Sequence, residues 1–370
     1  MLALDLVHEQ SHSHDNTNGW APNRASSAAM LRAAGFTITD MPDDEVFICH
    51  RGTQPDARRP VRDRLPRNWS CPMIEAAMIG TEPNNKSHWD FENDLGWSMF
   101  GPMTALTGQA IAAEAPGLPR VLGGISLTGP DVFRVMQGHG ALDHRDAAAL
   151  YGFPMDWNHW LANDWPEKIT AIKALTHLPV WVSAVGISTF GAEEVEEWGL
   201  RRTTELLHGQ VPRIHWYSLY DLPAAWPATT RHCEAEGSSY LQHLRRSLLD
   251  TNGRPKRAAK MFHEFTPEIG LCQWFHLCQR FRIEDHRLHD AVRHTKDMGV
   301  TALGPGLSWA DWLLPGAERR FDTQMAARAD FNVTVTYRFT PEEEGQWPHH
   351  TAAPKQPERF AEFCATMTRH

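Results

Sequence analysis

Beyond Trp69 the chain alternates between short apolar runs and longer amphipathic segments, and this rhythm constrains the fold more than any single residue does. The apolar runs are 76–79, 120–125, 147–151, 180–185, 213–219, 269–275, 300–303 and 331–339. Helical spacing is found near 97–115, 131–138, 165–175, 192–208, 238–249, 285–298 and 317–329, and again from Glu358 to the end. The segment from Ala192 shows why: Glu193 and Glu194 sit in its first turn and Arg201 and Arg202 further along, as a helix dipole favours. Val195, Trp198 and Leu206 are expected on its buried face. Eight strand–helix units over about 300 residues predict a (β/α)8 (TIM) barrel with its chemistry at the strand carboxyl ends. An open doubly wound sheet would carry a glycine-rich phosphate turn after its first strand, and no G-x-G-x-x-G occurs.

Residues 1–68 read as a small amino-terminal appendage and linker, leaving 69–370 for the barrel. In the appendage, 28–33 predicts a short helix stopped by Gly35, and 36–39 and 46–49 predict two strands around Pro42-Asp43-Asp44. The stretch 52–67, with Pro55, Pro60 and Pro66 among several Arg, has linker composition. With 36 Lys+Arg against 45 Asp+Glu the net charge is −9, which argues against a nucleic-acid clamp. No apolar run approaches the roughly 20 residues of a membrane span. Residues 1–20 lack the basic start and apolar middle of a secretory signal. The 6 Cys are scattered without a C-x-x-C pair, so free thiols and a cytoplasmic location are expected. His8-Glu9-Gln10-Ser11-His12 matches H-E-x-x-H, but it is followed by turn formers and has no evident third ligand, so no metal is expected.

Chemistry concentrates at Ile79-Gly80-Thr81-Glu82-Pro83-Asn84-Asn85, followed by Trp89. A carboxylate at a strand end, fixed by a following proline and flanked by amides and an indole, suits a general acid; a cap or turn is its structural alternative. The 15 Trp and 21 His are unusual, and many Trp follow predicted strand ends. They fit either stacking platforms for sugar rings or a Trp-rich core.

Glu82-Pro83-Asn84 resembles the acid/base motif on strand four of clan A glycoside hydrolases, and the chain is similar to their bacterial β-xylosidase-like group near family 39. The resemblance extends over most of 71–370. It includes Gly123-Gly124-Ile125, Gly152-Phe153-Pro154-Met155-Asp156-Trp157-Asn158, Leu178-Pro179-Val180-Trp181-Val182 and His215-Trp216-Tyr217-Ser218. Gln273-Trp274-Phe275-His276, Gly306-Leu307-Ser308-Trp309-Ala310-Asp311, Phe339-Thr340-Pro341 and His349-His350 complete it. In the family the Gln-Trp-Phe-His strand opens the barrel, whereas here it follows Glu82. The resemblance therefore implies a circular permutation, with strands four to eight preceding strands one to three and 249–267 as the joining linker.

The resemblance implies retaining hydrolysis of a β-linked saccharide, without metal or organic cofactor, by two carboxylates. Glu82 is the implied acid/base. The nucleophile pattern V-W-V-[ST]-E-V-G reads Val180-Trp181-Val182-Ser183-Ala184-Val185-Gly186, so Ala184 occupies the nucleophile position and covalent catalysis is blocked as written. Glu193 and Glu194, the next acids, read as dipole-matching charges. Thr81 replaces an Asn, Gly80 a Trp and Tyr151 a strand-six His, and an Arg expected near strand two falls at Gly304 or its neighbour; 277–283 forms an insertion. Expected saccharide contacts are Asn84, Trp89, Tyr151, Trp216, Trp274, His276, Trp309 and His349, with Trp157 and His350 as further candidates. A non-catalytic carbohydrate-binding barrel is the competing reading, and an inverting hydrolase a third. Residues 20–52 resemble the carboxyl-terminal end of certain class I methyltransferases, a piece too short to hold a cofactor site. The oligomeric state is not fixed by the sequence.

Overall fold

The computed structural model describes residues 2–5, 36–40, 46–51, 74–86, 88–126, 130–154, 161–189, 191–221, 245–265, 269–272 and 285–369. The chain divides into two compact units, 1–65 and 66–370. In the first, β1 (Leu2–Asp5), β2 (Phe36–Asp40) and β3 (Val46–Arg51) form an antiparallel sheet with β3 in the middle. The two predicted strands are therefore present, and β1 adds a third from a stretch read as irregular. The H-E-x-x-H residues and the predicted helix at 28–33 lie outside the described residues.

The second unit is a closed parallel barrel of eight staves flanked by helices. Its staves are β4 (Ile74–Ile79), β5 (Arg120–Ile125), β6 (Ala147–Gly152), β7 (Val180–Val185), β8 (Ile214–Tyr217), β9 (Ile269–Cys272), the interrupted pair β10 (Ala302–Leu303) and β11 (Gly306–Ser308), and β12 (Asn332–Arg338). Pro305 breaks the seventh stave because it has no N–H to donate to a ladder. β12 pairs in parallel with β4, Tyr337 opposite Ile79, and this closes the ring. The helices include α1 (Phe100–Glu114), α2 (Pro130–Gly138), α3 (Trp165–Thr176), α4 (Glu193–Leu207), α5 (Arg257–Met261), α6 (Asp285–Asp297), α7 (Trp309–Trp312), α8 (Ala317–Ala326) and α9 (Pro357–Thr368). No helix among the described residues is long and apolar enough to cross a membrane.

Three expectations need correction. On α4 the buried positions are Glu196, Gly199, Leu200, Thr203, Thr204 and Leu207, while Trp198 is 46% exposed. Gly199 sets this face: a Cβ there would stand 2.7 Å from Cβ of Ile187, so the helix comes closest to the barrel at its smallest residue. Of the predicted helix at 238–249 only 245–249 is described, and that part is turn and bend with an isolated bridge at Leu249 rather than helix. The Leu248 and Leu249 amides donate to the Ser218 and Leu219 carbonyls at 3.0 and 2.8 Å, continuing the chain beside the end of β8. The supposed linker that follows is built into the fold. It contains α5, and buried Lys256 places its Nζ 2.9 Å from Glu196 and 3.0 Å from Asp221.

Register decides which side chains fill the ring. At its amino-terminal end Ala76, Met78, Val121, Ala147 and Ala149 form a small-residue cluster under Trp181. Arg213 lies over the Trp181 ring and donates to Glu75 at 2.9 Å, and Glu75 also accepts from Thr334 at 3.3 Å. His215 comes next, buried beside Gly270, where a Cβ would stand 2.5 Å from its ring.

Candidate active site

The backbone at the end of β4 turns sharply. Gly80 has φ 76° and Glu82 φ 41°, so the glutamate occupies a left-handed conformation that a non-glycine residue adopts at a cost. Neighbouring staves hold it there: Gly80 N–H donates to Tyr337 at 2.9 Å and Glu82 N–H to Gly124 at 2.8 Å. The Glu82 side chain is buried. Its Oε2 accepts from Asn85 Nδ2 at 2.9 Å and lies 3.1 Å from His88 Nδ1. Burial first, then Arg338 and His350, lowers the His88 pKa to about 3, so its ring is neutral and presents Nδ1–H to the carboxylate. His88 stacks on Phe339, which meets His350 edge-on at 4.9 Å, and His350 lies 4.3 Å from His349.

Ala184 faces the same end of the barrel. It pairs with Tyr151 across β6 and β7 and clusters with Tyr151 and Phe153, against which Tyr217 and Cys272 pack. Tyr151 accepts a hydrogen bond from Thr81, next to Glu82, at 2.9 Å. The Glu82 charge reaches Tyr151, Tyr217 and Cys272, as does that of Arg338. Glu82 and Ala184 therefore border one group of side chains. Burial pushes the Tyr151 and Tyr217 phenols above their usual range and the Cys272 thiol up to about 12, so all three keep their protons at neutral pH.

The remaining expected site residues separate. Asn84 spends its amide on Ser126: Oδ1 accepts from the Ser126 N–H at 3.1 Å and its hydroxyl at 3.2 Å, and Nδ2 donates to its carbonyl. Trp89 is buried edge-on against Phe100 and donates to Asp94 at 2.9 Å. Asp94 in turn accepts from the Met99 and Phe100 amides at 2.7 and 2.9 Å, fixing the start of α1. Trp216 is fully buried and alternates with inward Tyr217, so it points to the helix layer. Trp309 is buried, stacked on Phe363 of α9. These three indoles, expected as sugar platforms, are buried in the structure. His349 borders the mouth through His350 and bonds Thr351 at 2.7 Å. Trp157, Trp274 and His276 lie outside the described residues.

Sequence reasoning assigned no site role to His88, Tyr217, Cys272, Arg246 or Arg338. Parity along β8 and β12 carries the missing signal. Once Trp216 and Tyr337 face the helices, Tyr217 and Arg338 must face inward. Among the described residues no group of three or more His, Cys, Asp or Glu could hold a metal ion.

No family model and no curated protein matches this chain. Among solved structures it is similar to a monomeric β-xylosidase from Caulobacter crescentus, with 13% identity over 49% of this chain and 39% of that one and a TM-score of 0.36. The chain thus spans about two-fifths of that protein's length. It is also similar to the β-glycosidase BGL167, with 10% identity over 82% of this chain and 97% of that one and a TM-score of 0.38. An endo-1,4-β-D-mannanase from Thermotoga petrophila gives 9% identity over 80% and 99% and a TM-score of 0.33.

Proposed function

We propose that the barrel is of the clan A glycosidase type and takes a β-linked saccharide at the carboxyl ends of its staves. Glu82 is the general acid/base, and residue 184 stands where the nucleophile belongs. One observation carries this reading: Ala184 packs with Tyr151, Tyr217 and Cys272, and Tyr151 is bonded to Thr81 beside Glu82, so positions 82 and 184, distant in sequence, border the same group. In a retaining mechanism the second carboxylate would attack the anomeric carbon while Glu82 protonates the departing oxygen, and Glu82 would then activate water. A methyl group cannot attack, so the chain as written stops before the covalent intermediate. The neutral His88 and Asn85 would hold Oε2 of Glu82 and orient the carboxyl group.

The order of motifs supports a permuted barrel in which strands four to eight of the family come first, with 69–370 as the barrel and 1–68 as its appendage. The β12–β4 pairing and the contact of α9 with α1, including an Arg369–Glu114 ion pair, join the end of the barrel to its beginning, as in any closed barrel, so the order of motifs alone carries this part of the reading.

Chemical rescue tests the proposal. Azide with an activated aryl β-glycoside should give an inverted glycosyl azide, because a small anion enters the space of the missing carboxylate. The methyl of Ala184 favours a second reading, a saccharide-binding barrel without catalysis. Sugar-dependent changes in Trp fluorescence with no rescued turnover would select it.

A further inference from the structure

We propose that Glu196 holds a proton at neutral pH, and that its release in alkali loosens the segment 245–249, which brings Arg246 to the mouth of the barrel. None of the groups that hold or feel this proton belongs to the proposed hydrolytic site. Glu196 on α4, Asp221 after β8 and Lys256 before α5 meet outside the staves, 0%, 5% and 5% exposed. Lys256 Nζ lies 2.9 Å from Glu196 Oε2 and 3.0 Å from Asp221 Oδ1. One ammonium between two carboxylates leaves a negative charge over in a site closed to water, a costly arrangement. Asp221 has a second donor, the Ser247 N–H at 3.0 Å, whereas Glu196 Oε1 has none among the described residues. The proton therefore belongs on Glu196. Burial, working against Lys256 and aided by Asp221 and Glu193, pushes its carboxyl up to about 8.

The other charges around Glu196 come from α4 itself, from α5 and from Arg245; residues 186–189 carry none. Arg257 gives its N–H to Glu193 at 2.8 Å and its guanidinium to Glu194 and Glu197, each at 2.7 Å. Arg245 acts on Asp221 as a further positive charge. Lys256 also ties down the segment. Its Nζ donates to the Arg245 carbonyl at 3.4 Å, which accepts from the Thr189 N–H at 3.1 Å as well. Its N–H donates to the Leu248 carbonyl at 3.0 Å. Arg246 follows directly, buried, its side chain 4.3 Å over the Phe153 ring. An ionised Glu196 would compete with Asp221 for Lys256, and opening the segment to water relieves the added charge.

An unfolded chain titrates Glu196 near its ordinary 4.5, so the stability its proton supplies is complete below about pH 4.5 and is lost as pH rises through about 8. Urea unfolding of the full chain from about pH 5 to about pH 9 tests this against Glu196→Gln, a neutral side chain of the same shape. The variant's midpoint should gain on that of the unaltered chain as pH rises and exceed it at about pH 9. Amide exchange, corrected for intrinsic rates, reads the segment itself. Protection at Ser247, Leu248 and Leu249 should fall about tenfold or more from about pH 7 to about pH 9 in the unaltered chain, and stay within about twofold in the variant. The infrared spectrum of the unaltered chain should show a protonated-carboxyl band at neutral pH that disappears in alkali, a measurement that needs no variant to fold. A variant midpoint that fails to gain with pH, protection that falls alike in both proteins or in neither, or absence of the band would overturn the inference.

Discussion

The two ends of the barrel solve the same packing problem with different chemistry. At the amino-terminal end, alanines and valine fill the ring beneath Trp181, and the charges present are matched, Arg213 to Glu75 and Glu75 to Thr334. At the carboxyl end the ring holds Tyr151, Phe153, Tyr217 and Cys272 around a methyl group, with Glu82 and Arg338 close by. The first arrangement is what stability selects. The second places buried ionisable groups and a left-handed glutamate where an apolar core would be more stable, and a fold retains such features where it binds or reacts.

This contrast can be broken by mutation. The largest loss is expected at Asp94, which supports the mouth from outside: Asp94→Ala removes bonds to Trp89, Met99 and Phe100 and should cost about 3 kcal/mol in urea unfolding. Glu75→Ala at the base leaves Arg213 without that carboxylate and should cost about 2 kcal/mol, moderated by partial exposure of the pair. Acid titration comes next. Burial lowers His88 and His215 to about 3, so an unfolded chain with ordinary histidines binds protons first. Stability from both should be complete above about pH 6.5 and fall as pH drops toward 3, and His215→Gln should flatten that limb of a urea-midpoint profile. Cys272→Ala at the mouth should change stability least, by about 1 kcal/mol, because it removes a single partly exposed sulfur. A larger loss there than at Glu75 would abolish the distinction between the two ends.

The barrel was legible because the period of each segment is a local property. The staves near 76, 120, 147, 180, 213, 269, 300 and 331 all appear, and α3 and α4 lie within about a residue of their expected bounds. Glu82 was legible for the same reason: a carboxylate followed by Pro83 after an apolar run marks a strand end. The tryptophans were not. Whether Trp216 faces a ligand or a helix depends on register and on which neighbour covers it, and an indole suits both places. Arg338 was hidden in an alternating strand whose parity is fixed only once Tyr337 is seen to pack on Phe363 of α9. His88 became visible only when the turn after Glu82 brought it back to the carboxylate.

Residues 82 and 184, as proposed, are two halves of one hydrolytic site. Its most direct measurement is the turnover of an aryl β-glycoside by Ala184→Glu, run beside the Ala184→Glu/Glu82→Gln double variant. The single variant should hydrolyse the glycoside with retained anomeric configuration, and the double variant should be slower by about 100-fold or more on a poor leaving group. A folded Ala184→Glu protein that binds the glycoside and leaves it intact would contradict it.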